Sequence, residues 1–181
     1  MLKTILVRKK SSLKYFSQIF YQYVKVELPI EYLEKAMVYF LYNNEKLIGG
    51  YIIMANPFFR FIDLLPHQIK TKEELFKKYA LEEMYEVNGL FILDTKFTFN
   101  ILRSLLRKIL TLDKKYLLLF YNLRNKKLHK TWQKNLIPIE IYKGKPCENS
   151  YLKSHETIFF GYVEQEKLKQ FLDRINTKRY A

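Results

Sequence analysis

The chain has 181 residues, 49% of them hydrophobic and 17% aromatic, which is enough apolar material for a folded core and too much for a disordered segment. Its 32 Lys and Arg against 18 Asp and Glu leave a formal net charge of +14. That balance points to nucleic acid, an anionic membrane, an acidic protein or a phosphate-rich cofactor, with a generally lysine-rich composition as the bland reading. Cys147 is the sole cysteine, which excludes an intramolecular disulfide and a cysteine metal cluster. No apolar run approaches the roughly 20 residues of a membrane span, and the N-terminal MLKTILVRKK is too short in apolar residues for a signal peptide, so a cytoplasmic location is expected.

In chain order, Lys3–Val7 reads as a strand. Leu13–Tyr23 carries Tyr15, Phe16, Ile19, Phe20 and Tyr23 at helical spacing, with Ser11 and Ser12 as capping candidates. Leu28-Pro29 breaks this helix, and Ile30–Ala36 reads as a second. Met37–Tyr42 and Leu47–Ala55 flank a polar Asn43-Asn44-Glu45-Lys46 turn and predict a hairpin, with Gly49-Gly50 marking a bulge or a close backbone approach. Pro57 to Pro66 is aromatic and irregular, and Thr71–Leu81 reads as a charged helix. Met84–Leu93 predicts a strand, Phe99–Leu112 an amphipathic helix, and Tyr116–Tyr121 a buried strand. Asn125 caps a helix over about Lys126 to Lys134. Strands at Ile137–Tyr142 and Thr157–Val163 and a helix over Gln165–Ile175 complete the chain. This order predicts one mixed α/β domain with a central sheet over residues 1–181.

Several residues carry a resemblance. After the late strand come Asn125, Leu128 three residues on and Trp132 seven on, with Leu136-Ile137 leading into the next strand. Earlier, Asp94-Thr95-Lys96-Phe97-Thr98-Phe99-Asn100 leads into the helix LRSLLRKIL. With the order of elements, these resemble the GNAT superfamily of acyl-dependent N-acyltransferases across essentially the whole chain. The resemblance implies a mixed, mostly antiparallel sheet flanked by helices, whose fourth and fifth strands splay to admit an acyl-pantetheine arm. It implies acyl-CoA or the phosphopantetheine of an acyl carrier protein as donor, an amine as acceptor, and no metal.

The resemblance also assigns roles. Glu86, at the start of the fourth strand, is the candidate base that takes the ammonium proton. Tyr121 is the candidate donor to the leaving thiolate, because Trp132 stands where the family has tyrosine and an indole N–H is no proton donor at neutral pH. Backbone N–H groups of the fourth strand, at Leu90 and Ile92, are expected to hold the acyl carbonyl. Lys96, Thr98, Asn100 and Arg103 flank the pyrophosphate loop, with Lys96, Arg103 and Arg107 as candidate phosphate contacts and a solvated helix face as the alternative, and Asn125, His129 and Trp132 follow on the next helix. Thr98 and Asn100 occupy the loop's glycine places and Phe97 its basic place. Loss of the glycines matches the branch resembling acyl-homoserine-lactone and N-acyl amino acid synthases, whose donor is an acidic acyl carrier protein, and a basic chain suits such a partner. Phe58, Phe59, Phe61, Phe97 and Phe99 read as core aromatics, with the lining of an acyl tunnel as the alternative. Two other functions stay open: a GNAT-like binding or regulatory module without catalysis, and a basic nucleic-acid-binding protein. No P-loop, HExxH, C-x-x-C or G-x-S-x-G pattern occurs.

Overall fold

The structure, a computed structural model, describes residues 1–56, 58–72, 81–123, 130, 133–147 and 156–177. In chain order the elements are β1 (Leu2–Val7), α1 (Lys10–Val24), α2 (Ile30–Lys35), β2 (Met37–Asn43), β3 (Lys46–Met54), α3 (Arg60–Asp63), α4 (His67–Lys72), β4 (Met84–Ile92), α5 (Thr98–Leu110), β5 (Tyr116–Asn122), β6 (Ile139–Gly144), β7 (Ile158–Glu164) and α6 (Gln165–Thr177). The strands form one sheet in the order β1-β2-β3-β4-β5-β7-β6, antiparallel throughout except for the β4–β5 pair.

Period-2 alternation splits the core between the two faces of this sheet. Val38, Phe40, Ile52, Met54 and Met84 point to the face covered by α1, α2 and α3. Tyr39, Leu41, Tyr51, Ile53 and Tyr85 point to the face covered by α5 and α6. The alternation is interrupted twice, each time by an extra residue. Leu41 and Tyr42 face Gly49 and Leu47, so Ile48 is the extra residue on β3. There a Cβ on Gly49 would sit 2.7 Å from the Phe91 carbonyl oxygen, so the expected bulge and the close approach are both present. The second interruption is on β4, where Asn88 and Phe91 face Ile52 and Gly50. Val87 packs on the α5 face, yet so does Leu90 three residues later. The parity flips at Gly89, whose φ of +60° is the left-handed conformation that glycine adopts without strain.

Four local expectations differ from what is observed. Helix α1 begins at Lys10 after a Lys9 cap with no side-chain hydrogen bond, so Ser11 and Ser12 lie inside the first turn instead of capping it. The aromatic stretch expected to be irregular contains the one-turn helix α3. The charged segment forms α4 over His67–Lys72, earlier than expected, and residues 73–80 lie outside the described ones. Leu136 is helical, Ile137 takes φ +49°, and β6 starts only at Ile139, because Pro138 follows the turn and lacks the N–H a ladder needs.

Candidate functional site

The β4–β5 pair is where the sheet opens. Only Met84, Tyr85 and Glu86 register against Tyr116, Leu117 and Leu118, although β4 continues to Ile92 and β5 to Asn122. The strands part at the point where the Gly89 bulge redirects β4. Between them lies a cavity of about 370 Å³ that passes through the sheet. Phe20 and Val24 of α1 and Phe61 of α3 line it on one side. Leu102, Leu105, Leu106 and Ile109 of α5, with Leu168 and Phe171 of α6, line it on the other. Among the described residues Asn88 is the one polar side chain in the wall, and its Oδ1 accepts from the Gly89 N–H at 2.7 Å.

Glu86 lies at the closed end of this opening. It is fully buried, on the α1–α3 face. Its Oε1 accepts from the Tyr32 hydroxyl at 2.7 Å and from the Arg60 N–H at 3.3 Å, and its Oε2 accepts from the Phe61 N–H at 2.9 Å. The carboxyl thereby fixes the start of α3, two of whose first-turn N–H groups would otherwise be orphaned. Burial pushes the Glu86 pKa up, while the Phe61 N–H, the Tyr32 hydroxyl and the Arg60 N–H pull it down. Tyr32 is held in its protonated form, by burial first and by the adjacent Glu86 second, and its hydroxyl also reaches the side chain of Asn88. A chain of polar groups thus runs from the cavity wall at Asn88 through Tyr32 to Glu86. The Arg60 guanidinium lies 5.4 Å from the Tyr32 ring centroid and donates to the Glu27 carbonyl at 3.3 Å.

Tyr121 lies on β5, on the face of Leu117 and Leu119, and is 3% exposed. Its ring stacks on Phe159 at 4.7 Å, and its hydroxyl accepts from Gln133 Nε2 at 3.3 Å. Burial raises its pKa and keeps the hydroxyl protonated at neutral pH.

The turn before α5 carries its own anion. Asp94 caps the turn Thr95–Phe97, accepting from the Lys96 N–H at 3.1 Å, and its other oxygen lies 3.7 Å from Lys46 Nζ. Lys96 is exposed, and the Thr98 hydroxyl is turned back onto the Thr95 carbonyl at 2.8 Å. Asn100 and Arg103 face away from the cavity, toward Leu2 and Thr4, and Arg103 donates to the Ile175 carbonyl at the end of α6. Among the expected cofactor contacts, then, Leu90 lines the cavity, Ile92 pairs with Gly49 in the β3 ladder, and Lys96, Thr98, Asn100 and Arg103 lie on or around α5 outside it. Asn125, Leu128, His129 and Trp132 lie outside the described residues.

Of the five phenylalanines weighed for a tunnel, Phe61 lines the cavity; Phe59 is in the core, Phe97 packs against the α5-side core, and Phe58 and Phe99 are exposed. Sequence reasoning missed the aliphatic lining, the Tyr32 and α3 N–H partners of Glu86, and Asn88 in the cavity wall. The spacing Leu102, Leu105, Leu106, Ile109 was the available signal, since it puts four aliphatic residues on one flank of α5. Among the described residues, no three His, Cys, Asp or Glu side chains converge as metal ligands.

No protein-family model matches the chain, and no curated protein matches it. Solved structures do. FeeM, an N-acyl amino acid synthase from uncultured soil microbes, superposes with a TM-score of 0.64 at 12% identity, covering 94% of each chain. A point mutant of the spermidine N-acetyltransferase SpeG from Vibrio cholerae gives 0.60 at 11% identity, over 93% of this chain and 96% of that one. The acyl-homoserine-lactone synthase LasI gives 0.56 at 14% identity, over 95% and 94%. At these identities the likeness is one of fold, and it extends over 93% to 95% of the chain, so this chain has the fold of the GNAT N-acyltransferases.

Proposed function

We propose that this protein transfers a long acyl chain from a pantetheine thioester to an amine. The observation that carries the reading is the apolar cavity through the β4–β5 opening, with the Asn88 amide in its wall. Burying a methylene is worth about 0.8 kcal/mol, so such a cavity selects a long chain over an acetyl group. Asp94 supports a carrier protein over CoA as donor. It places a carboxylate at the turn where a pyrophosphate would need backbone N–H groups, and one of those groups is already engaged by it. The net charge of +14 suits an acidic carrier.

In this reading the amine attacks the thioester carbonyl carbon, the C–S bond breaks, and the thiolate leaves with a proton. The nitrogen's proton passes to the Tyr32 hydroxyl as that hydroxyl gives its own to Glu86, whose burial makes it a stronger base than an exposed glutamate. Tyr121, protonated at neutral pH, supplies the thiolate's proton and regains one from solvent as Glu86 gives up the proton it took. Leu90 lines the cavity, and its backbone N–H is the group that would hold the acyl carbonyl; the Gly89 N–H is taken by Asn88. One observation favours a second reading, a binding module without turnover: Glu86 is fully engaged in holding α3.

The deciding assay follows free thiol released from dodecanoyl-pantetheine and from a dodecanoyl-loaded carrier protein, with and without a panel of amines. Amine-dependent release, reduced about 100-fold or more by Glu86→Gln with binding of the thioester retained, supports transfer through this base. Binding without release in the presence of any amine supports the module instead.

A further inference from the structure

The flank of α5 turned away from the cavity forms a second concavity, of about 570 Å³, against β1 and β2. Among the described residues its charged lining is cationic: Arg103, Arg107 and Lys108. Arg103 is 8% exposed and is held in place by the Ile175 carbonyl, so its charge is fixed before any ligand arrives. Arg107 and Lys108 are exposed at its rim, and neither takes part in the ion pairs found among the described residues. Hydroxyl groups run between the cations. Ser104 Oγ lies 3.0 Å from both Thr4 Oγ1 and the Tyr51 hydroxyl, and each of these bonds can reverse its direction to suit an incoming acceptor.

We propose that this groove binds a phosphorylated small molecule, its phosphate oxygens meeting Arg103, Arg107, Lys108 and the Ser104–Thr4 hydroxyls. Guanidinium forks match phosphate oxygens in pairs, and hydroxyls complete the acceptor sites that cations leave. The site is separate from the acyl donor's. Arg107 and Lys108 lie nine and ten residues into α5, about 14 Å along its axis from Thr98. A pyrophosphate at the start of the helix is out of their reach, and the cavity opens on the opposite flank. The inference therefore stands whether or not the protein transfers acyl groups.

The test is calorimetric titration and thermal melting of the full chain with inorganic pyrophosphate and with AMP, at about 150 mM salt, close to physiological ionic strength. The comparison is between the wild type, Arg107→Ala/Lys108→Ala, and a charge-matched control, Lys167→Ala/Lys169→Ala, on the exposed side of α6. All four positions are exposed on helices, where alanine is well tolerated. Saturable binding that weakens about tenfold or more in the α5 variant and stays within about threefold of wild type in the α6 control supports the site. Equal weakening in both variants means a diffuse response to charge and overturns it. So does the absence of saturable binding to the wild type at millimolar ligand. Arg107→Gln, tested alone, gives a milder version of the same contrast should the double variant unfold.

Discussion

Substituting Gly89 by alanine tests the backbone device that opens the site. The residue sits at φ +60°, where a non-glycine residue costs about 1–2 kcal/mol. The new Cβ would lie 2.5 Å from Ile52 Cδ1, 2.9 Å from Ile52 Cγ1 and 3.3 Å from Phe16 Cε1. Ile52 and Phe16 are fully buried, so neither can swing into solvent, and overpacking of this kind costs a further 1–3 kcal/mol or so. The sum is about 2–5 kcal/mol. For a chain of this size that lowers the melting midpoint by about 4–20 °C. Equilibrium denaturation in urea and thermal melting should agree on the loss. Gly144→Ala is the control. Gly144 has no positive φ, and the nearest obstruction to its Cβ is the far end of the half-buried Tyr142 side chain at the sheet edge, so its loss should be smaller. A Gly89→Ala variant that melts within about 1 °C of wild type would refute the claim that a tightly packed glycine bulge parts β4 from β5.

Other perturbations have defined outcomes. Tyr32→Phe removes the 2.7 Å bond to Glu86 while leaving the ring in place, and urea denaturation should show a loss of about 1.5–3 kcal/mol. If Glu86 accepts the reaction's proton through the Tyr32 hydroxyl, the same variant also lowers amine-dependent thiol release by about 100-fold or more, because it removes the relay. Glu86 itself makes stability depend on pH with a definite sign. Its folded pKa is raised above the ordinary 4.5, so the unfolded chain gives up this proton first as pH rises. The contribution is therefore fully present below 4.5 and declines as pH climbs toward the folded value, by at most about 1.4 kcal/mol per unit. Wild type minus Glu86→Gln, measured by denaturation from about pH 4 to pH 8, should show that decline; a difference growing with pH would mean that the three donors outweigh burial.

Much of the fold is legible in the sequence because its elements follow their hydrophobic periods. Leu13, Phe16 and Phe20 wrap one face of α1, and Ile101, Leu105 and Ile109 do so on α5, so both helices can be read without reference to any partner. What escapes such a reading depends on single backbone conformations or on packing across the sheet. Nothing in Leu136-Ile137-Pro138 distinguishes a strand from a helical turn ending in a left-handed residue. Gly89 stands in the sequence as one glycine inside a strand, and only its φ shows that it flips the face of β4. Glu86 is legible as the fourth strand's acid, yet its burial and its hold on α3 come from residues 26 and 54 positions away. The cavity is invisible for the same reason: its wall is assembled from α1, α3, α5, α6 and both splayed strands, and no local window contains more than one flank of it.

The measurement that bears most directly on the account is the affinity of the protein for S-acyl pantetheines, by calorimetry, as the acyl group lengthens from acetyl to dodecanoyl. The apolar cavity predicts affinity rising about fourfold per methylene at first and levelling off once the cavity is filled, for a total gain of at least about a hundredfold. An affinity indifferent to chain length, or strongest for acetyl, would contradict it.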